Sequence, residues 1–195
     1  ITTISHIRNS NNTMQQGSNM FGSGNTNSLI TINENTSSFK SYANGSLIAN
    51  VSGTNTTPSD HFWLTLGNNS NSIVSGFNEF TGYISEVHVY SEALNTAKRI
   101  ILDNYLSTKY NISIGSDDKY SYDATYGNEL AGIGREDVNN VHLDATGESI
   151  FRVTAASLDD NDYLMWGHDN GNLSSTSTGI PSTFFVFGQI LERKW

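Results

Sequence analysis

The stretch GYISEVHVYSEAL, residues 82–94, places polar side chains at strand spacing. Glu86, His88 and Tyr90 alternate with valines, so a β-strand here would present the three polar groups on one face. Retaining glycoside hydrolysis uses two carboxyl groups about 5 to 5.5 Å apart, a separation that successive same-face strand positions can provide. This strand is therefore the first candidate for a reaction centre.

The candidate centre has one carboxylate where hydrolysis needs two. Glu86 could act as nucleophile, but the next same-face positions hold His88 and Tyr90. The following carboxylate, Glu92, belongs to the turn after the strand. One carboxylate cannot be both proton donor and nucleophile. We therefore expect no catalytic residue here and no enzyme activity.

A structural role explains the same alternation. Val87 and Val89 would pack inward, while the three polar side chains would face solvent or a neighbouring strand. In this interpretation Glu86 accepts hydrogen bonds from nearby backbone or hydroxyl groups.

An acidic turn further along the chain is a candidate calcium site. LDDNDYL, residues 158–164, places Asp159, Asp160 and Asp162 close together. Calcium takes oxygen ligands from short loops, but this spacing does not fit the twelve-residue EF-hand loop. Solvated turn chemistry is the alternative, and calcium is the only cofactor that the sequence suggests.

Three aromatic residues, Trp63, Tyr126 and Trp166, are candidates for ligand binding. Ligand sites combine aromatic surfaces with a few polar groups that fix orientation, and sugar faces stack on exposed rings. Aromatic residues in strands also pack in cores, and this is the alternative for all three.

Composition favours a turn-rich β-protein. Of the 195 residues only 15% are charged, and Asn, Ser, Thr and Gly are abundant, which favours short strands joined by many turns. The chain has no cysteine, so disulfides, thiolate nucleophiles and cysteine-ligated zinc are excluded.

Charge excludes two classes of partner. The net charge is −9 and the ten basic residues are scattered, whereas phosphate contacts need clustered Lys and Arg. The same balance would repel an anionic membrane surface, and no apolar run approaches the roughly 18 residues that span a bilayer. We therefore expect neither nucleic-acid binding nor membrane insertion.

The first part of the chain predicts strands followed by one helix. SLITIN (28–33), HFWLTLGN (61–68) and residues 82–90 are predicted strands, and Asn44-Gly45 predicts the type I′ turn of a hairpin. Asn95 is the predicted N-cap of a helix that ends near Tyr110. Its apolar stripe, expected to face the sheets, comprises Leu94, Ala97, Ile101, Leu102, Tyr105 and Leu106.

A second β-rich unit is predicted after the helix. Periodicity is lost in NISIGSDDKYSYDATYGNE, residues 111–129, and we place a boundary around residues 112–119. Strands are then predicted within ELAGIGRED, SIFRVTAAS, DYLMWGHDNGN and TFFVFGQILERKW. Because the last of these runs to Trp195, we expect the unit to continue beyond that residue.

Several motifs of the first unit occur in the order of a known family. YANGSLIANVSG, WLTLGNN and FTGYISEVHVYSEALNTAKRIILDNYLSTKYNI resemble the laminin-G-like, concanavalin A-like jelly-roll superfamily in its bacterial extracellular form. NELAGIGREDVNNVHLD, YLMWGHDNGNL and LERKW resemble an uncharacterised β-domain that commonly follows such modules. That pairing occurs in large secreted or surface proteins of Bacteroidota-type bacteria. Together the resemblance covers residues 39–195.

The resemblance implies an all-β fold and an extracellular or bacterial cell-surface location. We expect a jelly-roll β-sandwich over residues 1–112, ending in helix 95–110, and a second β-rich domain over 113–195. Residues 1–112 supply about half of the roughly dozen strands that such a jelly roll needs. Either further strands precede Ile1 or the domain is minimal.

The expected function is a non-catalytic adhesin-type module. It would contact extracellular glycans or surface proteins, beside neighbouring domains of the same parent chain. An architectural stalk or spacer is the alternative. A glycoside hydrolase is least favoured, because laminarinase- and lichenase-type enzymes of this sandwich carry Glu-x-Asp-x-(x)-Glu, whereas His88 and Tyr90 replace the second and third acids here.

Overall fold

The computed structural model describes residues 4–8, 13–17, 27–35, 37–52, 82–147 and 151–170. Predicted strand 61–68, with Trp63, and the strand predicted near the C-terminus lie outside these residues. The strands are β1 (Ile4–Arg8), β2 (Thr13–Gly17), β3 (Ile30–Glu34), β4 (Ser38–Ala43), β5 (Ser46–Ser52), β6 (Asn128–Asp137), β7 (Asn140–His142), β8 (Asp144–Gly147), β9 (Phe151–Thr154) and β10 (Asp162–His168). The helices are α1 (Thr96–Tyr110) and α2 (Asp123–Tyr126), with a 3₁₀ turn at Gly115–Asp117.

The described fold is mostly β, as predicted. The strands form antiparallel sheets in the orders β1-β2, β3-β4-β5, β10-β6-β7 and β8-β9. The jelly-roll arrangement itself stays a prediction. Among the described residues no helix has the length and apolar character needed to cross a bilayer.

The predicted hairpin around Asn44-Gly45 is confirmed as β4 and β5. Asn44 has φ 47° and Gly45 φ 76°, the left-handed pair of a type I′ turn. The side-chain oxygen of Asn44 also accepts a 2.8 Å hydrogen bond from the backbone N–H of Leu29, just before β3. The turn therefore fixes the position of β3 as well as that of its own strands.

Helix α1 begins and ends where the sequence predicts. The Asn95 side chain accepts a hydrogen bond from the Lys98 N–H at 3.0 Å, which caps the first turn. After Tyr110 the chain leaves the helix through Asn111, whose φ of 52° is the left-handed conformation common at helix C-termini.

Helix α1 contacts both three-stranded sheets, β3-β4-β5 and β10-β6-β7. The predicted stripe omits Ile100, which is only 2% exposed, and includes Ile101, which is half-buried. Leu106 belongs to a first buried cluster, with Leu29, Ile112 and Ile114. Ile100 belongs to a second buried cluster, with Tyr120, Leu130 and Met165.

A buried ionic network also holds α1 in place. Arg99 and Asp103 pair at 2.5 Å with 4% and 0% of their side chains exposed, and Arg99 lies 2.8 Å from Asp117. The guanidinium also lies 4.2 Å from the ring centroid of Tyr42 on β4, a cation–π contact. Burial raises the pKa of Asp103, and the Arg99 charge opposes that shift.

Residues 112–119, the predicted boundary, are packed against the helix. Ile114 is 1% exposed. The side chain of Asn104 donates to the backbone oxygen of Asp117 at 2.7 Å and accepts from the N–H of Lys119 at 2.8 Å. This segment is not a solvated linker, while the division into two domains stays a prediction.

Candidate functional site

Residues 82–95 form neither helix nor strand, so the strand predicted over residues 82–90 is wrong. Val87 is 45% and Val89 71% exposed, so the expectation that they pack inward is wrong too. Glu86 contacts the C-terminal half of α1, where Lys109 and Tyr110 are its hydrogen-bond donors, while His88 and Tyr90 are exposed.

Glu86 is held by three partners. Its Oε2 atom accepts a 2.7 Å hydrogen bond from the Tyr110 hydroxyl and lies 2.9 Å from Lys109 Nζ. Its Oε1 atom lies 3.0 Å from His88 Nε2. The predicted structural role, in which Glu86 accepts hydrogen bonds from hydroxyl groups, is confirmed.

These partners keep the carboxylate ionised. Hydrogen bonds from Lys109 and Tyr110 lower the pKa of Glu86 from 4.5 to about 2. A general acid works best with a pKa near the operating pH, which is far from this value. Chemically, Glu86 is suited to anchoring a cation.

The other polar residues of this segment also have structural contacts. His88 stacks on Tyr90 with ring centroids 6.4 Å apart and meets Tyr105 edge-on at 6.4 Å. Glu92 pairs with Lys98 at 3.0 Å, beside the first turn of α1.

An open groove of about 360 Å³ lies beside the contacts of Glu86 and His88. Lys109, which pairs with Glu86, and Tyr105, which meets His88, also line the groove. We call it the α1–β6 groove. One wall is the C-terminal half of α1, with Tyr105, Thr108 and Lys109. The other runs from α2 to the start of β6 and includes Asp123, Thr125, Asn128 and Glu129.

The groove combines one aromatic ring with many hydrogen-bonding groups. Lys109 Nζ donates to the Tyr105 hydroxyl at 3.0 Å and lies 5.2 Å from the Tyr105 ring centroid. The opposite wall adds carboxylate, amide and hydroxyl groups, and most of them are exposed. Such a surface suits a polar, hydroxyl-rich ligand.

Close backbone packing builds the second wall. A Cβ atom at Gly127 would lie 2.4 Å from both the Thr108 side chain and the Asp123 carbonyl, so only glycine allows this approach to the helix. Two residues later Glu129 has φ 50°, a left-handed conformation that costs a non-glycine residue of order 1–3 kcal/mol. The wall therefore holds a strained residue at its rim.

The predicted ligand-binding aromatics have packing contacts wherever the structure describes them. Tyr126 packs against the second buried cluster. Trp166 lies on β10 opposite Ala131, with its indole against Gly147 of β8. A binding role for Tyr126 and Trp166 stays a prediction, and so does that of Trp63.

The three predicted calcium ligands lie in and beside the exposed turn before β10. Asp160 pairs with Arg135 at 2.7 Å, and the N–H of Asp159 donates to the Asp162 carboxylate at 3.3 Å. Within the described parts of the chain no three histidine or acidic residues are grouped as a metal site. Calcium binding stays a prediction.

Sequence reasoning missed the groove because its residues come from separate elements. Tyr105 belongs to the predicted apolar stripe, Glu129 begins the predicted strand segment ELAGIGRED, and Asn128 belongs to the stretch without periodicity. The only local signal is the Tyr105–Lys109 pair, whose i, i+4 spacing places both side chains on one helix face.

Comparison with known families finds a similarity over part of the chain. Residues 6–98 match the family model described as the concanavalin A-like lectin/glucanases superfamily. Searches of curated proteins and of solved structures gave no match. The match ends within the first turn of α1, so all the residues that line the groove lie outside it. Residues 6–98 are therefore similar to this superfamily, a likeness that the motifs of the first unit predicted.

Proposed function

We propose that this chain is a non-catalytic module of an extracellular or surface protein of bacteria that acts in adhesion by binding glycans. The observation that carries the proposal is the α1–β6 groove. Its Tyr105 ring lies among hydroxyl, amide and carboxylate groups in an open site. The superfamily match supports a lectin-type module in residues 6–98, but it does not include the residues that line the groove.

The groove favours a glycan over an apolar ligand. Pockets for apolar molecules are lined mainly by hydrophobic side chains, whereas Thr108, Thr125 and Asn128 are among the lining groups here. A saccharide can exchange hydrogen bonds with these groups and place one face of a ring on Tyr105. Because the groove is open, it would accept an internal segment of a long chain.

The state of Glu86 leaves this segment without the proton donor that hydrolysis needs, which favours a binding role. A carboxylate with a pKa of about 2, bound to Lys109 and Tyr110, is a poor proton donor. Incubation with β-glucans should release no new reducing ends. Hydrolysis that survives Glu86→Gln would place a reaction centre elsewhere in the chain.

A glycan array tests the binding role. The wild-type chain should bind at least one glycan, and Asn128→Ala should weaken that binding because it removes a groove amide. Asn139→Ala, an exposed asparagine in the β6–β7 turn, is the matched control and should bind like the wild type. Circular dichroism checks that both variants are folded.

The array is run with and without calcium. If Asp159, Asp160 and Asp162 hold an ion, calcium must raise the melting temperature, because a ligand that binds only the folded state stabilises it. A melting temperature that a chelator leaves unchanged would end the calcium proposal without affecting the groove.

An architectural stalk is the second candidate function. It is favoured by the packing of α1, which contributes Leu106 to one buried cluster and Ile100 to the other. A shared helix of this kind stiffens a spacer. Silence on the array in both conditions would support the stalk over the glycan-binding module.

A further inference from the structure

The start of α1 is joined to β7 by two asparagine side chains. The Oδ1 atom of Asn140 on β7 accepts a 2.9 Å hydrogen bond from the backbone N–H of Thr96. In return, the side-chain nitrogen of Asn95, whose oxygen caps α1, donates to the backbone oxygen of Val141 at 2.9 Å. We call these two hydrogen bonds between the helix and the strand the α1–β7 clasp.

Asp137 orients the Asn140 amide for this contact. Its carboxylate accepts hydrogen bonds from the Asn140 side-chain nitrogen at 2.8 and 3.0 Å and from the Asn140 backbone N–H at 3.0 Å. Because the amide nitrogen is bound to the carboxylate, the amide oxygen is the atom that accepts from Thr96. A helix of the first predicted unit is therefore capped by a side chain of the second.

His142 lies on the same face of the sheet as Asn140. The two residues are two positions apart on β7, so their side chains point to one side. Gly134 on β6 pairs with His142 and with Tyr163 of β10, which places these three residues on one face. Tyr163 packs against the buried cluster that contains Ile100 of α1. His142 therefore faces the helix.

Charged groups on neighbouring elements act on His142 in opposite directions. Burial is the largest cause that lowers the pKa of His142, and Lys98 on α1, which pairs with Glu92 at 3.0 Å, lowers it further. Asp144 on β8 raises this pKa, but its carboxylate is already held by Arg152 on β9. The net direction is downward from 6.5, so the imidazole is mainly neutral at neutral pH.

The acidic groups of β6 are engaged by other partners. Glu136 accepts a 2.9 Å hydrogen bond from the Tyr163 hydroxyl, and Asp137 is bound within the β6–β7 turn. Protonation of His142 would therefore place a second positive charge near Lys98 and the start of α1. The helix dipole is positive at this end as well.

We propose that the α1–β7 clasp is acid-sensitive, because protonation of His142 weakens the hydrogen bonds of Asn95 and Asn140 and loosens α1 from β7. This device is independent of the glycan-binding function proposed above. Since the folded-state pKa of His142 lies below its unfolded value of 6.5, the clasp is at full strength above pH 6.5. It weakens as the pH falls through the folded-state pKa.

An NMR pH titration of the full chain tests whether His142 acts on the clasp. The Thr96 and Lys98 amides should shift with the same midpoint as the His142 ring, below pH 6.5, and this transition should be absent in His142→Gln. His88→Gln is the control, because His88 contacts Tyr105 in the C-terminal half of α1, and it should keep the transition. Amides that do not respond in the wild type, or a transition that survives His142→Gln, would overturn the proposal.

Hydrogen exchange separates a weakened clasp from a change of local field alone. Wild type and His142→Gln are compared at the same pH, so that the intrinsic exchange rates cancel. The Thr96 amide should exchange about fivefold faster in the wild type at pH 5, and at equal rates in both chains at pH 7.5. Equal rates at pH 5 would contradict acid sensitivity.

A second pair of variants tests the clasp itself at pH 7.5. Asn140→Ala should speed exchange of the Thr96 amide about fivefold, because it removes the acceptor of that N–H. Asn139→Ala, at the exposed neighbour in the same turn, should exchange like the wild type. Unchanged protection of Thr96 in Asn140→Ala would show that the clasp does not hold the start of α1.

Discussion

At the scale of single residues, Glu86 shows how partners decide what a side chain does. Its sequence context suggested a nucleophile without a proton donor. In the folded chain Lys109, Tyr110 and His88 surround the carboxylate, and its main effect is to join the segment before α1 to the end of that helix. The sequence alone does not distinguish a catalytic carboxylate from a structural one here, because both roles use the same residue type at the same spacing.

The depressed pKa of Glu86 predicts a loss of stability in acid. Its contribution to folding is complete above the unfolded-state pKa of 4.5 and is lost as pH falls through the folded-state pKa of about 2. Thermal melts between pH 6 and pH 2 should show a smaller acid-induced fall for Glu86→Gln than for the wild type. Lys109→Met should also reduce the fall, because it removes the charge that lowers this pKa. Three identical profiles would contradict the described ion pair.

The buried and exposed ion pairs of α1 predict different costs at neighbouring positions. Arg99→Met leaves Asp103, which is fully buried, without its cation and should cost about 3 to 5 kcal/mol in urea unfolding. Lys98→Met removes the pair with Glu92, which is largely exposed, and should cost about 0 to 1 kcal/mol. Equal costs would mean that Arg99 is solvated.

Side-chain direction could be predicted from the sequence only where local rules decide it. Asn95 and Asn111 mark the ends of α1 because caps depend on nearby backbone groups. The exposure of Val87 and the contacts of Glu86 depend on residues distant in the sequence, because the donors to Glu86 are Lys109 and Tyr110 on α1.

At the scale of elements, the β4–β5 hairpin and the turn after α1 are locked together. Gly45 and Gly115 both have positive φ, at 76° and 61°. A Cβ atom at Gly45 would lie 2.5 Å from the Ile114 carbonyl oxygen, whereas one at Gly115 would meet nothing within 4 Å. Substitution of Gly115 therefore tests backbone strain alone, whereas substitution of Gly45 tests backbone strain together with a packing contact.

This difference predicts the outcome of alanine substitution. Gly115→Ala should cost about 1 to 2 kcal/mol of unfolding free energy, which is the left-handed penalty alone. Gly45→Ala should cost clearly more, because Ile114 is 1% exposed and its backbone has little room to move. Denaturant unfolding measures both, and an equal loss would show that the hairpin does not press on this turn.

Element prediction succeeded for strands whose turns have a sequence signature. Asn44-Gly45 located β4 and β5, and alternating residue patterns located β3 and β9. Strands β1 and β2, although paired over five residues each, lack such a turn signal and were not predicted. The α1–β6 groove could not be predicted, because nothing local indicates that Gly127 lies against Thr108.

At the scale of the whole molecule, α1 belongs to the first predicted unit but packs against residues of both units. The superfamily match ends at residue 98, yet the helix continues to Tyr110 and buries Ile100 against Tyr120, Leu130 and Met165. The boundary at 112–119 was predicted from the loss of periodicity in the sequence. Periodicity is a local property and carries no information on packing between the segments before and after the boundary.

Truncation at the predicted boundary should therefore leave an apolar face uncovered. A chain of residues 1–112 lacks the partners of Ile100 and should bind the dye ANS more strongly than the 195-residue chain. The full chain should show lower dye binding under the same conditions. A fragment with equally low dye binding and full helical circular dichroism would instead support two independent domains.

The most direct test of the glycan-binding account is an amide NMR titration of the full chain with the saccharide that binds most strongly on the array, followed by analysis of that saccharide. We predict that shifts concentrate in residues 105–109 and 123–129 and that the saccharide is recovered uncleaved. Shifts centred on Trp166 or on residues 82–90, or the appearance of new reducing ends, would contradict it.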